Sequence, residues 1–408
     1  MVALVPNNRM SDRPGRFTRG RTLFVLLSIL LLVPIATGSL TRAIASNDDK
    51  EDSFYREFSV FTEVLEHIRK RYVEETALEE LFAGAFDGAA DALDPMATYV
   101  PLDSVAEYRD TLGRGIQRSG LQLVRDRGFL FVVGVAPGSP GQDAGVESGD
   151  IVSKLNGRST RLLPLWEARV TLGGEVGTKV TFEVLRQGQT MDFELTLRDF
   201  EIAEPKVEFR EGVAIVRIGQ FEVGLVEQLE SVLEAPEVAA RGRLILDVRS
   251  TAGGRVDIAL AAADLFVDGA LGELRERTEV VETFASSRSR IWNGPLVLLT
   301  NRGSQGASEV FTAALKQLAE APTVGGGTFG HAGRPASRTL AGGGEFFYTD
   351  AFYTAPDGTI LNETVAPDFR ITGSSRRLGD ADRPLDELIM DRAIEIVLEQ
   401  VLEQKHAA

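Results

Sequence analysis

The chain has 408 residues, of which 43% are apolar and 25% charged, a globular composition with enough material for two or three domains. It contains no cysteine and only three histidines, which excludes disulfides and thiol-ligated zinc, so we expect no metal site and no cofactor. The formal net charge is −16, and it becomes −21 without residues 1–45, which carry six arginines and one aspartate. A polyanion of that size does not seek nucleic acid.

Residues 1–45 have the pattern of a secretion signal or a membrane anchor. Five arginines lie within the first 21 residues, and the stretch from Leu23 to Ala36 is almost wholly apolar. Extended to Leu40, this run is about long enough to cross a membrane, which takes ~20 residues, whereas Ala43 to Ala45 suit a cleavage site. Arginines on one side only fit the positive-inside orientation. We expect an exported, periplasmic or otherwise extracytoplasmic protein that contacts a membrane only through residues 22–40; cleavage and retention both stay open.

The region 54–110 is expected to be helical. Apolar residues recur at helical spacing from Phe54 to Tyr72 and from Leu78 to Leu93, which predicts two amphipathic helices, and Asp94-Pro95 closes the second. His67 lies between the apolar positions of the first helix, so we expect it on the surface.

Residues 113–198 predict a β-rich domain of short strands separated by glycines, with one helical stretch. The predicted strands are Leu121 to Val124, Phe129 to Val135, Ile151 to Leu155, Lys179 to Leu185 and Asp192 to Leu197. The motifs VAPGSP (135–140), AGV (144–146) and GDIVSKLNG (149–157) resemble those of PDZ domains. The resemblance implies that a peptide C-terminus adds along a sheet edge while backbone amides of a short loop hold its carboxylate. That loop corresponds to Ser119, Gly120, Leu121, Gln122 and Leu123, and the alternative is a plain hairpin turn.

From residue 205 to 402 strands and helices alternate, which predicts a largely parallel sheet with crossover helices. A buried strand from Leu244 to Val248 runs into Gly253-Gly254 and a helix from Val256. A second apolar strand, Pro295 to Leu299, ends in a glycine-containing turn before a helix that begins at Ala307. Enzymes with α/β folds commonly place a nucleophile at such a turn, where helix amides can receive an oxyanion.

At this turn the chain resembles the C-terminal processing (tail-specific) peptidases of family S41, serine proteases with a Ser/Lys dyad and a ClpP/crotonase-like α/β core. The family pattern G-S-x-S-A-S-E reads here GSQGASE (303–309), so the nucleophile position is Gly306. The family pattern T-F-G-K-G reads TFGHA (328–332), so the position of the basic lysine is His331. The family often has an orienting glutamine one helical turn later, a place that falls on Pro335. The resemblance covers residues 54–402 and implies a catalytically degenerate member with no confident catalytic residue.

Two backbone features of the family's oxyanion hole are retained in the sequence. The resemblance assigns it to an amide of Gly253 or Gly254 and to the amide of Ala307, the residue after the nucleophile position. A glycine pair also lets a strand turn tightly into a helix, so a purely structural role is the alternative.

Three functional hypotheses follow from these patterns. The first is an exported module that binds protein C-termini without cutting them. The second is an active serine endopeptidase with a displaced apparatus, in which Ser304 or Ser308 and His331 replace the dyad; against it, a shift of two residues misplaces the side chain, and Ser304 suits helix capping. The third is an inactive subunit that assembles with an active relative, and a homo- or hetero-oligomer is compatible with all three.

Overall fold

The structure is a computed structural model that describes residues 55–114, 118–372 and 383–407. The expected export segment, residues 1–45, lies outside these ranges. No helix within them is both long enough and apolar enough to cross a bilayer. The chain divides between Glu80 and Leu81 into two compact units. In the first unit, residues 55–71 form helix α1, on which His67 is exposed as predicted.

The second unit starts within α2 (Leu78–Leu93), which has the predicted bounds. Strand β1 (Thr98–Val100) and helix α3 (Leu102–Arg114) follow. The sequence analysis did not predict α3, whose exposed face is strongly polar. Its one fully buried aromatic side chain, Tyr108, packs edge-on against Phe347 at a centroid distance of 4.9 Å.

Residues 118–198, the PDZ-like segment, form an antiparallel sheet around a small apolar core. Its strands are β2 (Leu121–Asp126), β3 (Phe129–Val135), β4 (Ile151–Leu155), β5 (Arg158–Ser159), β6 (Lys179–Arg186) and β7 (Gln189–Thr196), and its helices are α4 (Pro140–Asp143) and α5 (Leu165–Leu172). The strand order is β2-β3-β4-β6-β7, with β5 on β4. Strand β2 is therefore an edge, and α5 lies beside it.

The core sheet is parallel except at one edge, as the alternation of strands and helices predicted. Its strands are β8 (Lys206–Arg210), β9 (Val213–Arg217), β10 (Leu244–Asp247), β14 (Leu296–Thr300), β16 (Thr323–Gly325) and β19 (Phe369–Arg370), in the order β19-β16-β14-β10-β9-β8. Only β8 pairs antiparallel, with β9. All residues of β10 and β14 are buried, as expected for parallel strands covered on both faces.

Helices cover both faces of the core sheet. One face packs against α6 (Leu225–Glu234), α8 (Val256–Ala263) and α9 (Ala307–Leu318), with α7 (Pro236–Ala239) following α6. The other face packs against the final helix α10 (Leu385–Ala407). Alternate strand residues serve the two faces: Val213 and Ile215 meet α10, whereas Ala214 and Val216 belong to the opposite cluster.

A third sheet was largely missed by the sequence analysis. It contains β1, β12 (Ala270–Arg275), β13 (Val280–Ala285), β17 (Gly333–Thr339) and β18 (Glu345–Tyr353), of which only β18 was expected. Its order is β1-β18-β12-β13, and β17 also pairs with β18. Two very short strands, β11 (Ala252–Gly253) and β15 (Gln305–Gly306), pair parallel to each other.

Phe311 lies at the centre of the core, fully buried between the rings of Phe221 and Phe266. We expect Phe311→Ala to lower the free energy of unfolding by ~3–5 kcal/mol, because it removes apolar contacts and leaves a cavity. The same change at Phe129, which is 58% exposed, is the matched control and should cost under ~1 kcal/mol. Urea unfolding of both variants measures the difference, and equal losses would mean that Phe311 is not a core residue.

Candidate functional site

The turn before α9 keeps an unusual backbone conformation at the position where the family has its nucleophile. Gly306 is the N-cap of α9, with φ 69° and ψ −114°, a region that L side chains rarely adopt. A Cβ placed there would meet its nearest atoms, all in Gly253, at 3.6 to 3.9 Å, which is ordinary contact. Space for a side chain is therefore present, and the strain that such a side chain would bring lies in the backbone.

The glycine pair lies directly beside this turn. Gly253 pairs with Gly306 in the short parallel ladder of β11 and β15, so the two positions are joined by backbone. Gly253 and Gly254 both have positive φ, 72° and 78°. A Cβ on Gly254 would approach the Phe221 carbonyl oxygen to 2.9 Å, so this position requires glycine for packing alone. The oxyanion role of Gly253, Gly254 and Ala307 stays a prediction.

A buried carboxylate ties the turn to the segment that carries His331. Glu309, fully buried on the first turn of α9, accepts hydrogen bonds from the Gly306 amide (3.0 Å), the Gly330 amide (2.6 Å), the His331 amide (2.9 Å) and the Thr328 hydroxyl (2.6 Å). Burial raises the pKa of Glu309, and these four bonds oppose that shift.

Two of those bonds end on the same oxygen. The Gly306 and His331 amides both donate to Glu309 Oε2, so their nitrogens lie less than about 6 Å apart. The frame thus brings together the two positions that the sequence analysis identified. Glu309 itself was given no role there, although an acid among the apolar residues of a buried helix was a signal.

His331 is only 6% exposed, and its side chain faces a polar pair. Its Nε2 lies 3.0 Å from Thr349 Oγ1 and 3.9 Å from Asp94 Oδ1, and the Thr349 amide donates to Asp94 Oδ2 at 3.1 Å. The ring packs edge-on against Phe352. Burial lowers the pKa of His331, and the charge of Asp94 partly opposes this. Sequence reasoning gave no role to Asp94 or Thr349.

Ser304 and Ser308 have buried and hydrogen-bonded hydroxyls. Ser304 Oγ donates to the Val248 carbonyl (2.8 Å) and accepts from the Asn301 amide (3.2 Å). Our expectation that Ser304 caps α9 is therefore wrong: Gly306 is the N-cap, and the Glu309 side chain binds its amide. Ser308 Oγ donates to the carbonyls of Thr251 and Gln305. Both serines are 0% exposed.

Pro335 is an exposed residue of strand β17, not part of a helix. The expected spacing of one helical turn from His331 is therefore wrong. The pairing of β17 with β18 shifts register between Arg334 and Pro335. Such a bulge accommodates a residue that cannot donate to the ladder.

A cleft of about 960 Å³ separates the PDZ-like segment from the core. Ser119 and Leu121 to Leu123 line one wall; Gly253, Gly254, Pro335 and Thr349 line the other. Gly306 and His331 are not among the residues that line this cleft. Gly253, which pairs with Gly306, and Thr349, which contacts the His331 ring, do line it.

The predicted peptide loop forms the turn into the edge strand β2. Gly120 has φ 75°, and a Cβ there would lie 2.0 Å from the Ser139 Cβ, so the turn requires glycine. The Leu121 amide donates to Ser119 Oγ at 3.2 Å, which occupies one of the amides expected for a carboxylate. Leu121 and Leu123 are buried, whereas Gln122 is half-buried. A Cβ placed on Gly253 would lie 3.7 to 3.9 Å from the side-chain amide group of Gln122.

The chain matches two family models, Peptidase family S41 over residues 212–371 and PDZ domain over residues 119–197. It is 24% identical over 348 residues to the carboxy-terminal processing protease CtpA of Bacillus subtilis (strain 168), covering 83% of this chain and 75% of the relative. It is 25% identical over 378 residues to a probable CtpA-like serine protease of Staphylococcus saprophyticus, covering 90% and 76%.

Among solved structures it resembles the photosystem II D1 C-terminal processing protease, with a TM-score of 0.64 and 22% identity, over 80% of this chain and 89% of that one. This likeness concerns the fold. The predicted architecture of an N-terminal helical region, a PDZ-like β-rich domain and an S41 α/β core is confirmed.

The environment of His331 leads to a pH prediction. Its folded pKa lies below the ordinary value of 6.5, so the unfolded chain binds more protons when the pH falls below that value. This contribution to stability is full above pH 6.5 and is lost as the pH falls toward the folded pKa. We expect His331→Gln to lose less unfolding free energy than the parent protein between pH 7.5 and 5.5 in urea titrations. The control is His67→Gln, at an exposed position, and identical pH slopes for all three proteins would contradict the prediction.

Proposed function

We propose that this chain, which belongs to peptidase family S41 and carries a PDZ domain, binds the C-terminal tails of proteins through that domain and does not cleave them. The observation that carries the proposal is the turn at Gly306, the position that matches the family's nucleophile, where Glu309 binds the backbone amide but the residue has no hydroxyl. A glycine has no nucleophile.

The nearby hydroxyls support the same conclusion. Those of Ser304 and Ser308 are fully buried and bonded to main-chain carbonyls, so each would have to break its bonds and turn to reach the cleft. Proteolysis by a displaced Ser304/His331 pair is disfavoured, because the imidazole Nε2 is directed at Thr349 and Asp94. About 1 Å of misplacement already lowers a catalytic rate by roughly a hundredfold.

Three features support tail binding. Strand β2 is a sheet edge, the cleft beside it has room for an extended peptide, and the Bacillus subtilis relative is named a carboxy-terminal processing protease. A peptide that adds to a sheet edge gains main-chain hydrogen bonds, and its side chains enter flanking pockets.

We further propose that the protein works outside the cytoplasm, as an exported or membrane-tethered protein. The support is the sequence of residues 1–45, in which an arginine-rich segment precedes an apolar run. A tail-binding protein there would meet exported partners.

The absence of proteolysis is tested by restoring the chemistry. We expect the parent protein to neither degrade a fluorescently labelled unfolded protein nor react with a serine-directed phosphonate. Gly306→Ser with His331→Lys rebuilds the dyad, but a serine in this backbone conformation costs ~1–3 kcal/mol, and Pro335 offers no orienting group. We expect at most weak cleavage from this double variant, and none from Gly306→Ala with His331→Lys. Degradation by the parent protein that the phosphonate blocks would overturn the proposal.

Tail binding is tested by comparing a free with an amidated peptide end. A peptide with an apolar free C-terminus should bind roughly ten- to hundredfold more tightly than the same peptide amidated, because amidation removes charge-assisted hydrogen bonds. Gln122→Glu, which adds a negative charge at a half-buried position of the loop, should weaken the free peptide more than the amidated one. Isothermal titration measures both. Equal affinity for the two ends would remove the carboxylate-binding role.

A further inference from the structure

One cation stands out beside the edge strand of the PDZ-like segment. Arg169, half-buried on the cleft-facing side of α5, donates to the Tyr108 hydroxyl (3.0 Å) and to the Leu123 carbonyl (3.1 Å) and contacts Met96 Sδ (3.5 Å). All three partners are neutral. No carboxylate of the described residues lies in ion-pair distance of its guanidinium.

The other arginines of the PDZ-like segment behave differently. Six of them have a carboxylate within 4 Å: Arg118, Arg125, Arg127, Arg158, Arg186 and Arg198. Arg161 is exposed to solvent. Arg169 alone among the described arginines of this segment combines partial burial with the lack of a carboxylate partner. A half-buried guanidinium that binds only neutral groups gains most from an anion brought to it.

The position of Arg169 relates it to ligand binding. An added strand takes its hydrogen bonds from the outer edge of β2, and Leu123 O is a carbonyl of that edge. The Arg125 amide of β2 already donates to the Pro95 carbonyl (3.0 Å), so an added strand would pair with the part of β2 before Arg125. In the structure Arg169 occupies this carbonyl. A peptide amide that bonds to Leu123 O competes with the guanidinium for this carbonyl.

We propose, on the basis of the proposed tail-binding function, that Arg169 is the specificity residue of this groove. When a tail adds to β2, the guanidinium exchanges its neutral bond to Leu123 O for an ion pair with a carboxylate of the tail. That carboxylate is either the chain terminus or an Asp or Glu side chain among the last residues. The planar guanidinium can bind either one through two parallel hydrogen bonds.

Charges elsewhere in the cleft restrict where this carboxylate can lie. Glu201 and Glu222 line the same cleft at its core side, where the one lining arginine of the described residues, Arg255, is already ion-paired with Asp257. They repel a negative ligand group there, so the α5 end, where Arg169 lies, is the favoured place.

Four peptides of one sequence test the proposal on the full-length protein: apolar or with a penultimate glutamate, each with a free or an amidated end. Isothermal titration is made with the parent protein, Arg169→Gln, Arg169→Lys and the control Arg161→Gln. If Arg169 binds the glutamate side chain of the peptide, the parent protein prefers the glutamate peptide roughly tenfold, and Arg169→Gln abolishes this preference. If Arg169 binds the carboxylate of the chain terminus, Arg169→Gln reduces the preference for the free over the amidated end by about the same factor.

Arg169→Lys keeps the charge but not the two parallel bonds, so it should retain part of the preference, and Arg161→Gln should retain all of it. The ratios between the affinities for the four peptides separate a role in recognition from a role in packing, since a purely structural loss would weaken the binding of all four peptides alike. Unchanged ratios in Arg169→Gln, or a parent protein that binds all four peptides equally, would overturn the role of Arg169. A parent protein that binds none of the peptides would instead overturn tail binding itself.

Discussion

The carboxylate of Glu309 is the constraint on which the site depends. A buried carboxylate is very unfavourable unless its oxygens are hydrogen-bonded, and here four donors from two segments supply the bonds. Moving either the turn at Gly306 or the segment from Thr328 to His331 would leave the charge or the amides without partners. This requirement belongs to folding, not to catalysis. The four bonds therefore hold the turn at Gly306 and the His331 segment together.

The glycine at position 306 has a consequence for stability as well as for chemistry. The backbone there has a conformation that costs a residue with a side chain ~1–3 kcal/mol, and active sites are where such strain is usually stored. Glycine adopts it without that cost. A residue without a Cβ therefore avoids this strain, while the pairing with Gly253 and the bond to Glu309 hold the geometry. The turn can keep its shape in the absence of any selection for cleavage.

Local sequence patterns predicted the elements whose burial is periodic or complete. Strands Phe129–Val135 and Ile151–Leu155, helix Leu78–Leu93 and the start of α9 at Ala307 agree with the structure. Strands β12 and β13 were missed because β13 is almost wholly exposed and their place depends on pairings far along the chain, such as Leu274 with Tyr353. Pro335 was misplaced for a related reason, since its strand exists only through β18.

The parts of the site that match a known sequence motif could be predicted. The contacts between residues far apart in the chain could not. Gly306 and His331 were located by comparison with a known pattern, but the groups that surround His331 come from Asp94 and Thr349, which are 255 positions apart. Ser304 was misread as a helix cap because nothing local shows that its hydroxyl lies beneath the turn, against Val248.

The edge strand β2 and the glycine paired with Gly306 line the same cleft. This arrangement links tail binding and the absence of cleavage in the proposed function. Leu123 and Arg169 line the cleft together with Gly253, which is paired with Gly306. A tail held along β2 with its end near Arg169 would extend past groups that can position a peptide backbone but offer no hydroxyl to attack it. Under the proposed function no cleavage follows binding, so the affinity and selectivity of the groove would decide what the protein does.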